Sequence, residues 1–225
     1  MKINANFNER VVLHADEIEW LESPMPGVSR RPLDRIGAEV ARATTIVRFD
    51  PESAFSPHTH DGGEEFIVLD GVFQDEHGDF PAGSYIRNPP TSRHTPSSTA
   101  GCTIFVKLWQ FHPLDRTHVR VDMGKMGGVV DADRPGVTVT PLFKDEFEEV
   151  RVEDWAAGTV GQISADGGAE LLMLSGSAVE SGDDLRTHSW LRVPDGGSIS
   201  LAAGAGGARF WLKTGHLRHV TVPNA

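Results

Sequence analysis

The sequence predicts an all-β chain of two tandem jelly-roll β-barrels. Three observations carry that expectation: turn formers spread along its whole length, short β-branched runs between them, and an internal repeat spanning nearly the entire chain. The 225 residues include 24 Gly and 14 Pro, pooled in no single tail. Such a distribution disfavours long uninterrupted helices and favours many short strands joined by turns. Length by itself allows one large core or two of about 100 residues each.

Residues 43–49 (ATTIVRF) are rich in β-branched side chains and stop at Asp50-Pro51, as a strand does. Residues 65–69 (EFIVL) run into Asp70-Gly71, a common hairpin-turn pair, and predict a second short strand ending there. The polar stretch 74–79 (QDEHGD) predicts a turn, after which 84–87 (SYIR) resume an extended pattern before Asn88-Pro89-Pro90. The glycines of residues 123–128 (MGKMGG) make 122–135 the expected connection between two units.

The repeat is found by sliding the chain along itself by 105 residues. Residues 61–71 (DGGEEFIVLDG) then lie on 166–176 (DGGAELLMLSG), and 84–89 (SYIRNP) on 189–194 (SWLRVP), with no gap between the windows. Ten of the 34 positions from 61 to 94 are identical (61, 62, 63, 65, 69, 71, 79, 84, 87 and 89), where chance gives about two. Upstream, Pro26-Gly27-Val28 and Pro32-Leu33 recur as Pro135-Gly136-Val137 and Pro141-Leu142 at a shift of 109. Two homologous units are therefore expected, residues 1–118 and 119–225.

The formal charge of −11, from 32 acidic and 21 basic residues, repels phosphate backbones and anionic lipid surfaces, so neither nucleic acid nor a membrane is an expected partner. No run approaches the roughly 18 apolar residues of a spanning helix, and the first residues show no signal-peptide core. A cytoplasmic protein is the expectation. Cys102 is the single cysteine, which excludes an intrachain disulfide and a cysteine-based zinc knuckle. It is expected to be a small buried residue of the strand at 102–106.

The candidate chemistry lies in His58, His60, Glu64 and His94. Positions i and i+2 of a strand project to one face, so His58 and His60 point together. Glu64 follows the turn Asp61-Gly62-Gly63, which can return a carboxylate to those imidazoles. His94, beyond Asn88-Pro89-Pro90, can close the set from a neighbouring strand. Three imidazoles and one carboxylate suit zinc, iron, manganese, nickel or cobalt and argue against a soft thiolate site. The same displacement carries the four positions onto Ile163, Ala165, Ala169 and Ile199, so the second unit has no ligand set while its glycines and Pro194 persist.

This pattern, Pro57-His58-Thr59-His60 with Glu64 and Gly71, then Pro81-Ala82-Gly83 and His94, resembles both motifs of the cupin superfamily in type and order. The stretch 58–90 looks like the cupin half of ChrR anti-sigma factors. That resemblance implies two tandem cupin barrels and one zinc ion held by His58, His60, Glu64 and His94, with Glu65 left to a supporting role. Those anti-sigma factors grip their sigma factor through an N-terminal helical domain with its own His and Cys zinc ligands. This chain has one cysteine and starts its repeat near residue 10, so a sigma factor is not the expected partner by that route.

His77 sits in an acidic turn and is expected to be solvated. His112, His118, His216 and His219 follow the last strand of each unit without ligand spacing. Phe66, Tyr85, Phe105 and Trp109 are expected in the core, and a buried Tyr85 hydroxyl would need a partner. No catalytic residue is assigned. Two functions stay open: a regulatory or small-molecule-sensing module, or a metal-dependent cupin dioxygenase acting on a small diketone or aromatic compound. A homodimer is left open too.

Overall fold

The computed structural model describes residues 1–38 and 40–223. It is all-β: among the described residues the sole helical turn is the 3-10 segment Ala15–Glu17. Among the described residues no helix is long and apolar enough to cross a membrane. The strands form two compact units. One comprises the described residues of Met1–Ala5 and Ile18–Lys125 together with 221–223, the other Asn6–Glu17 and Met126–Val220. Relative to a division at 118/119, Asn6–Glu17 goes with the C-terminal unit because Val11–His14 pairs antiparallel with Ser189–Val193. Val119–Asp122 goes with the N-terminal unit because it pairs with Ser84–Asn88.

In the first unit the main antiparallel sheet runs Lys2–Ile3, Val28–Gly37, Ala41–Phe49, Cys102–Leu108, Glu64–Asp75, Ser84–Asn88, Val119–Asp122. A separate two-stranded ladder pairs His58–His60 with Ser92–His94. In the second unit the order is Val129–Val130, Val137–Lys144, Glu149–Trp155, Gly197–Thr214, Ala169–Glu180, Ser189–Val193, Val11–His14. Val160–Ala165 adds to the start of Gly197–Thr214. Both are jelly-roll-like, and neither ladder closes into a ring: the outermost strands remain edges.

Strand alternation builds the core. Phe66, Val68, Phe73, Ile86, Ile104 and Val106 pack together in the first unit. The neighbouring Glu65 points the other way, directly across from Arg87 and Lys107 on the flanking strands. All three are buried. The second unit repeats the row with Glu170 across from Arg192 and Lys213. The Glu65 and Glu170 identity is thus a buried charged row of the sheet, and Tyr85 Oη donates to Glu65 Oε1 at 2.5 Å.

The expected hairpin turn at Asp70-Gly71 is not one. The strand continues from Glu64 to Asp75 and turns at residues 76–77. Against Cys102–Leu108 the register slips so that Leu69 is extruded, and Gly71 at φ +71° takes up the bulge. The second unit does the same with Leu174 and Gly176 at φ +74°. A residue that permits positive φ serves a bulge as well as a hairpin, and the sequence does not separate the two.

Candidate metal centre

The structure brings the four candidate residues together. His58 and His60 lie on one short strand with ring centroids 4.8 Å apart, and His94, paired across from His58, has its ring 5.1 Å from His58 and 4.8 Å from His60. One ring nitrogen from each lies within 4.8 Å of the others. The chain returns through Gly63, whose φ of +78° and N–H bond to the His60 carbonyl at 3.3 Å make the turn. Glu64 then sits with Oε2 3.4 Å from His60 Nε2 and 3.5 Å from His94 Nε2.

Burial is uneven. His94 is 2% exposed and His60 and Glu64 each 8%, while His58 faces solvent. The Nε2 atoms of His60 and His94 are buried and have no hydrogen-bond partner. Burial lowers the His60 pKa, against the opposing pull of Glu64. At His94 burial also disfavours the charged form, but the hydrogen bond to Asp75 and the charges of Glu64, Asp75 and Glu76 outweigh it and the pKa is raised.

These atoms fit a metal ion. Two donors bound at about 2.1 Å in tetrahedral or cis-octahedral geometry lie about 3–3.5 Å apart, which the two Glu64 contacts already match. The orphaned Nε2 atoms supply lone pairs where a buried polar atom otherwise costs free energy. His58 Nδ1 lies 3.1 Å from the Ser56 carbonyl oxygen, which can only accept, so its Nδ1 carries the hydrogen and Nε2 is free. The three imidazole nitrogens form a candidate divalent-metal site with the Glu64 carboxylate beside it, a nitrogen and oxygen set compatible with several metals.

Three residues that sequence reasoning passed over surround the cluster. Asp75 Oδ2 is 3.1 Å from His94 Nδ1. Asn88 Nδ2 donates to Glu64 Oε2 at 3.2 Å, and Arg120 in turn reaches Asn88 Oδ1 at 3.4 Å. Asp75 was hidden in a polar turn pattern. Asn88 carried a signal, since it lies directly across from Glu64, but only the register makes that visible.

The second unit supplies the comparison. His94 across from His58 becomes Ile199 across from Ile163, and Glu64 across from Asn88 becomes Ala169 across from Val193. Ile163, Ala165, Ala169 and Ile199 all belong to one apolar core. Elsewhere, His77 is an exposed turn residue. His216 is buried with Nε2 2.9 Å from Glu170 Oε1. Cys102 is buried in Cys102–Leu108, and burial pushes its thiol up to about 11.

An antiparallel jelly roll carrying three histidines and a glutamate at one focus defines a class, the cupin-fold proteins with a candidate metal centre. Residues 8–112 match the family model described as the ChrR cupin-like domain, and the chain is a cupin-fold protein resembling the ChrR cupin domain. No curated protein matches the chain in sequence. Several solved structures match it in fold. A candidate dioxygenase from Nostoc punctiforme PCC 73102 superposes with a TM-score of 0.75 at 14% identity, covering 97% of this chain and 87% of its own. A bacterial pirin from Escherichia coli in complex with nickel(II) gives 0.67 at 14%, over 92% and 99%. The oxalate decarboxylase of Bacillus subtilis, which has Mn(II) centres, gives 0.64 at 10%, over 95% and 78%. At these identities the likeness is one of fold.

Proposed function

We propose that this chain is a two-barrel cupin in which His58, His60, Glu64 and His94 of the first unit hold one divalent metal, zinc before iron, manganese or nickel. Its role on this reading is regulatory: a module that responds to a small molecule or oxidant reaching the exposed His58 side. The observation that carries it is the pair of buried, hydrogen-bond-free Nε2 atoms of His60 and His94 facing Glu64. Without a cation, such a cluster leaves buried donors and acceptors unsatisfied. A second unit whose equivalent positions are apolar core supports one metal per chain.

The metal would supply Lewis acidity, or a fixed structural charge if four protein ligands saturate it. Glu64 contributes the anion that offsets part of that charge, and Asn88 holds its Oε2 in place. His58, at the solvent-facing side, marks where a small ligand would approach. A second reading, a metal-dependent dioxygenase acting on a small diketone or aromatic compound, draws on the fold shared with the Nostoc protein. It needs positions left open beyond the four donors, as in a six-coordinate shell.

The test is elemental analysis of protein purified without added metal, on wild type and His60→Ala. About one metal per chain in the wild type and a loss of most of it in the variant is the expected outcome; equal content in both overturns the assignment. Oxygen uptake with a panel of diketones and catechols then separates the readings: turnover favours the dioxygenase, and an inert zinc-loaded protein the sensor.

A further inference from the structure

We propose that Asp75 is a positioning residue for His94, fixing the tautomer and ring orientation that present Nε2 to the metal; this rests on the metal reading above. Asp75 ends the same strand that begins with Glu64. Its side chain is 1% exposed. One carboxylate oxygen, Oδ1, accepts the N–H of His77 at 2.7 Å and closes the turn, while Oδ2 faces His94 Nδ1 at 3.1 Å.

The neighbours on either side of Asp75 do something different. Gln74 Oε1 accepts the N–H of Thr99 at 2.9 Å and Glu76 Oε2 accepts that of Thr95 at 2.8 Å. Three consecutive side chains therefore reach the segment 94–99, two holding its backbone and Asp75 alone among them taking a side chain. An ionised carboxylate can only accept, so Nδ1 of His94 must carry hydrogen whenever this contact forms. In the neutral ring the lone pair then lies on Nε2, the atom that is buried, without a hydrogen-bond partner, and 3.5 Å from Glu64. Phe73, whose ring centroid is 5.8 Å from that of His94, bounds the ring on an apolar side. A histidine ligand oriented by a carboxylate on its other nitrogen is a more basic and better-ordered donor.

The repeat shows that the acid is tied to what it faces. Glu180 occupies the position 105 residues on from Asp75, across from Asp183 as Asp75 is across from Gly78. Its side chain is buried, but with Ile199 in place of the histidine its charged partner is the guanidinium of Arg10 at Oε2, while Oε1 accepts from the Ser181 hydroxyl and the Ser200 N–H. A buried carboxylate at this corner needs a positive or donating partner in either unit. In the unit with the ligand set, that partner is a ligand.

The experiment titrates wild type, Asp75→Ala, Asp75→Asn and Glu76→Ala with Zn²⁺ and Co²⁺ against a competing chelator, and records the visible absorption of the Co²⁺ forms. Asp75→Ala should bind both ions about 10–100-fold more weakly with an altered Co²⁺ spectrum. Asp75→Asn should be weakened less, because its amide oxygen still accepts from Nδ1–H. Glu76→Ala, which loosens the same turn through Thr95 and removes a charge near His94 but leaves the Nδ1 contact, should lose far less affinity than Asp75→Ala and keep the wild-type spectrum. Wild-type affinity and spectrum in Asp75→Ala overturn the proposal, as does a loss in Glu76→Ala equal to that in Asp75→Ala. If Asp75→Ala does not fold, unchanged affinity in Asp75→Asn overturns it and a reduced one supports it. Wild-type protein that binds neither ion sinks the metal reading and the proposal with it, an outcome distinct from the others.

Discussion

Buried charged side chains in this protein are held by named partners, and their pH behaviour follows from them. Glu153 is fully buried and accepts from Arg134 at 2.9 and 3.1 Å, from Arg151 Nε at 2.7 Å and from Trp155 Nε1 at 2.8 Å. Burial alone would raise its pKa, but the Arg134 bonds, the charge and hydrogen bond of Arg151 and the Trp155 bond leave it below the usual value of 4.5. A folded pKa below the unfolded one means the unfolded chain binds the proton more readily. Glu153 therefore contributes stability above the unfolded value, and that contribution is lost as pH falls through the folded one. Glu153→Gln should lose about 1–3 kcal/mol at pH 7, since both guanidinium groups lose one carboxylate while Arg134 keeps Asp131 and Arg151 keeps Glu149. In urea denaturation the gap to wild type should narrow as pH is lowered below 4.5; a gap independent of pH contradicts the account.

At the scale of single elements, the long strands Glu64–Asp75 and Ala169–Glu180 each bend at a bulge, and the identical Leu and Gly of the repeat are explained by it. A Cβ added at Gly71 would collide with the carbonyl oxygen of Gly101, and one at Gly176 with that of Gly207. Gly71→Ala should therefore cost about 1–3 kcal/mol in backbone strain, with the collision adding to it. Gly83, at φ +89°, has open space where its Cβ would be, so Gly83→Ala carries the strain without the collision. Thermal or urea unfolding of the two variants should rank Gly71→Ala well below Gly83→Ala. The strand's curvature also matters for the site, because Glu64 at one end and Asp75 at the other both reach the His94 ring.

For the whole molecule, chain order and structural grouping differ. Val11–His14 is an edge strand of the second unit, paired from Val11 with Arg192 to His14 with Ser189, and Val12 packs against that unit's apolar core. Arg10 and Asp16 reinforce the attachment through Glu180 and Arg186. Val12→Asp places a carboxylate against this core and should cost about 1–3 kcal/mol. Hydrogen exchange should speed up at residues 189–193 and stay unchanged at His58–His60 and Ser92–His94. Faster exchange at the histidine ladder would contradict the grouping.

What the sequence determined by itself is periodic or repeated: the all-β class, the 105-residue displacement, and a His-x-His with Glu64 and His94 whose equivalents are apolar. Strand alternation and turn chemistry are local, so they can be read without coordinates. The tertiary structure decided what depends on register between distant strands. It turned Asp70-Gly71 from a hairpin into a bulge, moved Val11–His14 into the second unit, and placed Asp75 and Asn88 beside His94 and Glu64. Register is set by packing of whole faces against one another, which no window of the chain contains.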